Sequence, residues 1–169
     1  MDILSIIKKE HREAAALLDK AVDLDPGAEE MSSLAREIET ALTTHLTIEE
    51  KLFYARLRDR AKEEEKRVDV FEAYTEHEVA RHLIALLKSR RKRDERFKAE
   101  LQVLSESVKH HVQEEESTVF SIARKLIDKD ELDELGAKWE KAKKQMTAKA
   151  PRKSPSAKPV KTPVKRTSA

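Results

Sequence analysis

The sequence predicts an all-α protein, an up-down-up-down antiparallel four-helix bundle with an additional C-terminal helix. Three observations carry that expectation. The composition favours helix, with 40% charged and 4% aromatic residues, two glycines and no cysteine in 169 residues, and lacks the β-branched and aromatic clusters that a sheet needs. Apolar residues recur at helical spacing in five blocks. The polar connections between blocks are short, which makes successive amphipathic helices pack as antiparallel neighbours, each burying its stripe against the next.

The first block, Ile3, Ile7, Ala14, Leu18 and Ala21, follows Asp2, a good N-cap, and stops at Asp25-Pro26-Gly27, a strong turn signal. Met31, Leu34, Ile38, Ala41, Leu52 and Ala55 form the second, which dissolves into the charged run Lys62 to Arg67. The third, Val70, Tyr74, Ile84 and Leu87, ends in the basic run Lys88 to Arg93, and the fourth, Phe97, Leu101, Leu104, Val108, Val119, Ile122 and Leu126, closes at Asp128-Lys129-Asp130. A shorter fifth block holds Leu132, Leu135, Trp139 and Met146.

Charge divides the chain into two parts. Residues 148–169 contain Lys149, Arg152, Lys153, Lys158, Lys161, Lys165 and Arg166 and no acid, so this stretch carries +7 and residues 1–147 carry −5 of the net +2. Pro151, Pro155, Pro159 and Pro163 recur there every fourth residue, each lacking a backbone donor and fixing φ. The expected organisation is a helical domain over 1–147 and a disordered, extended, solvated tail over 148–169. The N-terminus lacks the features of a signal peptide, and no apolar run approaches a membrane span, so a cytoplasmic protein is expected. Without cysteine there is no disulfide, thiolate metal site or thiol nucleophile. Any chemistry falls to His, carboxylates, hydroxyls or Lys.

Four of the six histidines sit on apolar stripes, one per bundle helix: His11, His45, His77 and His111. A single such residue reads as a core histidine satisfied by a neighbour. Four at one level read differently. His11 and His45 lie 15 and 19 residues from the turn near residue 26, His45 and His77 17 and 15 from that near 62, and His77 and His111 16 and 18 from that near 93. At a rise of 1.5 Å per residue the mismatches are roughly 3 to 6 Å, within one layer of side chains. Glu49 and Glu115 follow His45 and His111 by four residues, one turn along the same face. A buried carboxylate requires a cation, and no Lys or Arg is an evident partner for both. Imidazoles with two carboxylates make a nitrogen and oxygen shell suited to iron, manganese or zinc, the glutamates being able to bridge two ions.

The order His on the first helix, His-x3-Glu on the second, His on the third and His-x3-Glu on the fourth resembles the haemerythrin-like (HHE cation-binding) domain, over about residues 1 to 127. The resemblance implies a non-haem di-iron centre with His11, His45, Glu49, His77, His111 and Glu115 as ligands and the two glutamates bridging. Ferritin-type bundles need an acid three residues before a His, and none of the six histidines has one. One departure stands out: haemerythrins proper carry His-x3-His on the third helix, whereas Arg81 lies four residues after His77 and Ala73 four before it. This argues against stoichiometric oxygen carriage. His82 and His110 read as residues off the buried stripe, and Glu50, Glu114 and Glu116 as surface acids. Tyr74, one turn before His77, reads either as a core tyrosine or as a donor near the metal.

The expected function is binding, sensing or handling of dioxygen, nitric oxide or peroxide at two iron ions, with manganese or zinc as other occupants and no catalytic residue assigned. Two readings compete with it. The basic cluster at 88–93 and the basic tail suit nonspecific nucleic-acid binding through phosphates. Alternatively the chain is a purely structural bundle in which the buried histidines and glutamates pair with one another.

Overall fold

The computed structural model describes residues 1–149. Five long helical rods account for nearly all of them, and no strand occurs among the described residues. Helix α1 spans Ile3–Asp23, and its first turn is capped by Asp2, whose Oδ1 accepts the Ser5 N–H at 2.9 Å. After Asp23 the backbone extends, and Asp25 closes the turn by accepting from the Gly27 N–H at 2.8 Å. The second rod is α2 (Met31–Glu49), a π-helical turn at Glu50–Tyr54 and α3 (Ala55–Arg60). Helix α4 spans Glu64–Ser89. The fourth rod repeats the second: α5 (Glu95–Glu114), a π-helical turn at Glu115–Val119 and α6 (Phe120–Leu126). Helix α7, Lys129–Lys149, lies across α1 and α2.

The bundle core is split in two. At the end holding the chain start, Ile3, Ile7, Phe53, Tyr54, Phe120, Ile127 and Trp139 form one apolar cluster. At the other end Leu18, Met31, Ile38, Leu42, Ile84, Phe97, Leu101 and Leu104 form a second. The buried histidines and glutamates are sandwiched between them. This arrangement matters energetically, because a polar layer flanked by packed side chains has little water to satisfy it.

Helix α7 is held by shape as well as by burial. Gly136 packs against the backbone of Met1, Asp2 and Ile3 so closely that a Cβ there would collide with the Met1 carbonyl oxygen. One turn further on, Trp139 is fully buried. Ala148 and Lys149, which the sequence reading placed in the tail, extend α7. The rest of the expected tail lies outside the described residues. No helix among the described residues is long and apolar enough to cross a membrane.

The basic run at 88–93 is largely occupied with the connection it forms. Arg90 pairs with Glu100, Lys88 Nζ lies 2.6 Å from Glu39, and Arg93 donates to the Arg90 carbonyl at 3.1 Å while its guanidinium stacks 4.3 Å from the Phe97 ring centre. Three of the five cations that suggested a phosphate-binding patch are thereby engaged within the chain.

Candidate metal centre

The six residues singled out by spacing converge. His11 on α1, His45 on α2, His77 on α4 and His111 on α5 are buried together with Glu49, the last residue of α2, and Glu115, the first of the second π turn. Glu49 Oε2 lies 3.1 Å from His45 Nε2 and 3.3 Å from His77 Nε2. Correspondingly, Glu115 Oε2 lies 3.1 Å from His11 Nε2 and 3.9 Å from His111 Nε2. The Nε2 atoms of His77 and His111 are 3.2 Å apart. Ligating atoms of His11, Glu49, His111 and Glu115 all lie within 4.8 Å of one another.

Each imidazole is held from behind by a second carboxylate, and the four holders form a closed ring around the bundle. Glu10 on α1 accepts from His45 Nδ1 at 3.0 Å, and Glu50 in the second rod accepts from His77 Nδ1 at 3.0 Å. Glu76 on α4 accepts from His111 Nδ1 at 2.8 Å, and Glu116 in the fourth rod accepts from His11 Nδ1 at 3.1 Å, which returns to α1. Each holder is adjacent in sequence to an inner residue: Glu10 to His11, Glu50 to Glu49, Glu76 to His77 and Glu116 to Glu115. One position is ~100° around a helix, enough to turn a carboxylate from the bundle axis toward the neighbouring rod. Glu50 and Glu116, read from sequence as surface acids, are therefore half-buried supports, while Glu114 is exposed as expected.

The supports have partners of their own. Arg81 Nη1 lies 2.6 Å from Glu50, Lys8 Nζ 3.1 Å from Glu116, and His110 Nε2 3.4 Å from Glu76. Glu10 receives both Trp139 Nε1–H at 3.0 Å and Lys143 Nζ at 2.7 Å. Arg81, at the position where a fifth imidazole was sought, thus backs the carboxylate that holds His77. His82 and His110 are exposed.

The tyrosine at the centre is Tyr54, which the sequence reading did not select. Its hydroxyl lies 3.3 Å from His77 Nε2, whereas Tyr74 donates to the Glu50 carbonyl oxygen at 3.2 Å. Tyr54 follows Glu49 by five residues, a spacing that points elsewhere on an α-helix. The π turn absorbs the extra residue and brings it onto the same face.

The electrostatics follow from burial and proximity. Burial opposes a charge on His45, but Glu49 and Glu10 outweigh it and raise its pKa to about 10. Burial likewise opposes a charge on Glu10, yet donation from His45, Lys143 and Trp139 pulls it down to about 2. Glu49 sits well below the ordinary carboxylate range, burial being overcome by His45 and His77, and His77 is raised by Glu49 and Glu50 against its burial. Tyr54, raised by burial and by Glu115 and Glu49, keeps its proton.

Do these residues suit a metal? Among the described residues, the buried side-chain atoms without a hydrogen-bond partner are His11 Nε2, His45 Nε2 and both carboxylate oxygens of Glu49 and Glu115. All belong to this one cluster. An ionised carboxylate only accepts, so each Nδ1 carries the proton it shares with its holder; the raised pKa of His45 puts a second proton on its Nε2, facing Glu49, and a bound cation would displace that proton and take the lone pair. Lone pairs of nitrogen and oxygen facing one another in a dry interior are stabilised by a cation between them. The donor set fits iron, manganese or zinc.

A small cavity of about 20 Å³ adjoins the imidazoles on the side away from the chain start, walled by Ala14, Leu42, Leu46, Ala80, Val108 and Val112, with Ser107 at its edge. With the structure in view, an internal repeat becomes legible. Glu10 and Glu76, His11 and His77, His45 and His111, Glu49 and Glu115, and Glu50 and Glu116 are each 66 positions apart. Ala14 and Ala80, Leu42 and Val108, and Leu46 and Val112 repeat the same interval in the cavity wall.

Comparison with known proteins gives three results. The sequence matches the model of the hemerythrin HHE cation-binding domain over residues 2–123. The fold is similar to the crystal structure of a hemerythrin HHE cation-binding domain-containing protein from Mycobacterium kansasii, with TM-score 0.75, 22% identity and 88% of each chain covered. A curated protein described as a DNA nickase, from Nostoc sp., is 25% identical over 147 residues, 86% of this chain, and the chain spans 40% of that protein's length.

Proposed function

The chain belongs to the hemerythrin HHE cation-binding domain family, and from that premise we propose that its buried centre holds two iron ions and binds, senses or handles dioxygen, nitric oxide or peroxide. His11, His45, Glu49, His77, His111 and Glu115 would hold the ions, Glu49 and Glu115 each lying between histidines of two rods. The observation that carries this reading is the set of six buried, unpartnered lone-pair atoms in one cluster. Two such ions supply open coordination positions and electrons for small oxidants. Manganese or zinc satisfies the same donor set.

The chain's own residues define what reaches them. Glu10, Glu50, Glu76 and Glu116 fix the tautomer and rotation of the four imidazoles, so that every Nε2 faces inward. The cavity has room for about one water-sized molecule, which suits a diatomic or peroxide and excludes organic substrates. Its aliphatic walls disfavour water. Tyr54 holds its proton at Oη, next to His77, and sits in the apolar cluster at the chain-start end, across the polar layer from the cavity. We keep the cytoplasm as the compartment, in line with a chain that has no cysteine.

The test is metal analysis of protein expressed without added zinc or nickel: about two irons per chain and an oxo-bridge band in the near ultraviolet. If His45→Ala and His111→Ala leave metal content unchanged, the assignment is wrong. A purely structural bundle, in which the buried histidines and glutamates pair with one another as ions at 3.1 to 3.3 Å, is separated by the same protein: no iron uptake and thermal stability insensitive to a chelator would establish it.

A second reading, nonspecific association with nucleic acid, has its own support in the +7 charge of residues 148–169 and in the DNA nickase relative. A sugar-phosphate strand does not fit a cavity of about 20 Å³, so the tail supplies the contacts and the metal centre stays untouched by DNA. Replacing the tail cations with Gln in the full chain then abolishes DNA retardation, and retardation by wild type fades with salt. Retention of binding by the neutral tail refutes this reading.

A further inference from the structure

The internal repeat pairs every inner residue of the centre with a counterpart, and the supports nearly follow suit. Glu50 and Glu116 are equivalent, and each faces one cation, Arg81 or Lys8. Glu10 and Glu76 are also equivalent by sequence, but their surroundings differ. Among the described residues Glu76 meets, besides His111, only the exposed His110 at 3.4 Å. Glu10 is saturated, taking His45 Nδ1–H on Oε2 and both Trp139 Nε1–H and Lys143 Nζ on Oε1.

Both additional donors come from α7, which lies beyond residues 2–123 matched by the family. The helix contributes more than two hydrogen bonds. The Trp139 ring stands edge-on to His45, with centres 5.4 Å apart, and is fully buried. Gly136, one turn earlier, fixes the height of α7 by its contact with the Met1–Ile3 backbone. The fixed helix therefore sets where Glu10 sits, and Glu10 sets where His45 points. Among the described residues no comparable element backs His111.

We propose that α7 is a positioning element for one half of the centre: Trp139 and Lys143, acting through Glu10, lock His45 and make the two metal positions unequal. The inference rests on the metal-centre reading above. His45 holds its ion more firmly than His111 holds the other, because Glu10, fixed on its other oxygen by Trp139 and Lys143, cannot follow a rotation of the imidazole, which must then give up its hydrogen bond. Trp139 and Lys143 are positioning residues: neither would supply an atom to the ions.

The experiment loads full-length wild type, Lys143→Met, Trp139→Phe and His110→Ala with iron and follows release to a strong chelator. Outer-shell changes of this kind alter metal affinity about 10- to 100-fold. Wild type is expected to release its two equivalents at different rates. In Lys143→Met and Trp139→Phe the slower equivalent leaves about 10-fold faster and the other is unchanged, Lys143→Arg restores the wild-type rate, and His110→Ala changes neither. Wild-type kinetics in both α7 variants, or parallel acceleration of both equivalents, overturns the inference while leaving the metal centre intact. A wild-type chain that takes up no metal refutes the centre itself. The positioning claim is then decided on the metal-free protein by NMR. The His45 Nδ1 proton must exchange with water about 10-fold faster in the two variants than in wild type, with His111 unaffected, and equal exchange overturns it.

Discussion

Raising the pH should unfold the metal-free protein and spare the metal-loaded one. His45 is fully buried between Glu49 and Glu10, and those carboxylates raise its pKa from 6.5 to about 10 in spite of the burial. A group whose folded pKa lies above its unfolded value adds stability that is complete below the unfolded value and is lost as pH rises toward the folded one. Between pH 6.5 and 10 the metal-free chain therefore loses His45's contribution. At 1.36 kcal/mol per unit the shift corresponds to roughly 5 kcal/mol, a large part of the ~5–15 kcal/mol that holds a domain of this size together. A bound cation takes a neutral imidazole, so the loaded protein has no such proton to lose. Thermal and urea melts of chelated and iron-loaded protein from pH 6 to 10 measure the difference. The chelated protein should weaken steadily across that range, and His45→Leu should flatten its profile. A chelated profile that is already flat in wild type, or a loaded protein that weakens in step with it, would refute the reasoning.

The other predictions are local. Glu10, lowered to about 2, contributes stability above its ordinary value near 4.5 that is lost as pH falls through about 2; Glu10→Gln should remove this acid-limb loss in melts between pH 5 and 2. Gly136→Ala places a Cβ against the Met1 carbonyl and should destabilise by ~1–3 kcal/mol, read as a lower urea midpoint at unchanged slope. Ala80→Leu fills the cavity beside His77; metal content should stay at the wild-type value while azide or nitric oxide binding, followed optically, falls at least tenfold. Tyr54→Phe keeps the packing and removes one hydroxyl that lies 3.3 Å from His77 Nε2, so stability should change by about 1 kcal/mol or less, read as a small shift of the urea midpoint.

The helices and the six inner residues were legible because both depend on the same signal. A stripe of apolar residues at helical spacing marks the side facing the axis, and a histidine or glutamate on it, such as His45 or Glu115, must face the axis too. The supports were illegible for the complementary reason. Glu10, Glu50, Glu76 and Glu116 lie one position off the stripe, where a glutamate ordinarily meets solvent, and only the neighbouring rod reveals that an imidazole waits there. Tyr54 was hidden by the π turn, since a strict 3.6-residue count from Glu49 carries it off the face. Trp139 and Lys143 reach the centre from a helix that no spacing within the bundle connects to it. The repeat at 66 positions was a readable signal for the supports, because chance does not often place five acidic or imidazole pairs at one interval.

That repeat describes the domain as a covalently fused two-fold dimer of helical hairpins, with the centre lying on the dyad. Each inner carboxylate meets one histidine of its own hairpin and one of the other, Glu49 facing His45 and His77 and Glu115 facing His111 and His11. Neither hairpin can complete a half-centre by itself. Assembly of the halves and creation of the metal site are consequently one event, as at an isologous subunit interface. Among the described residues two features tell the halves apart: α7, which backs Glu10 from outside the bundle, and Tyr54, whose counterpart 66 positions on is Phe120 and has no hydroxyl to set beside a histidine.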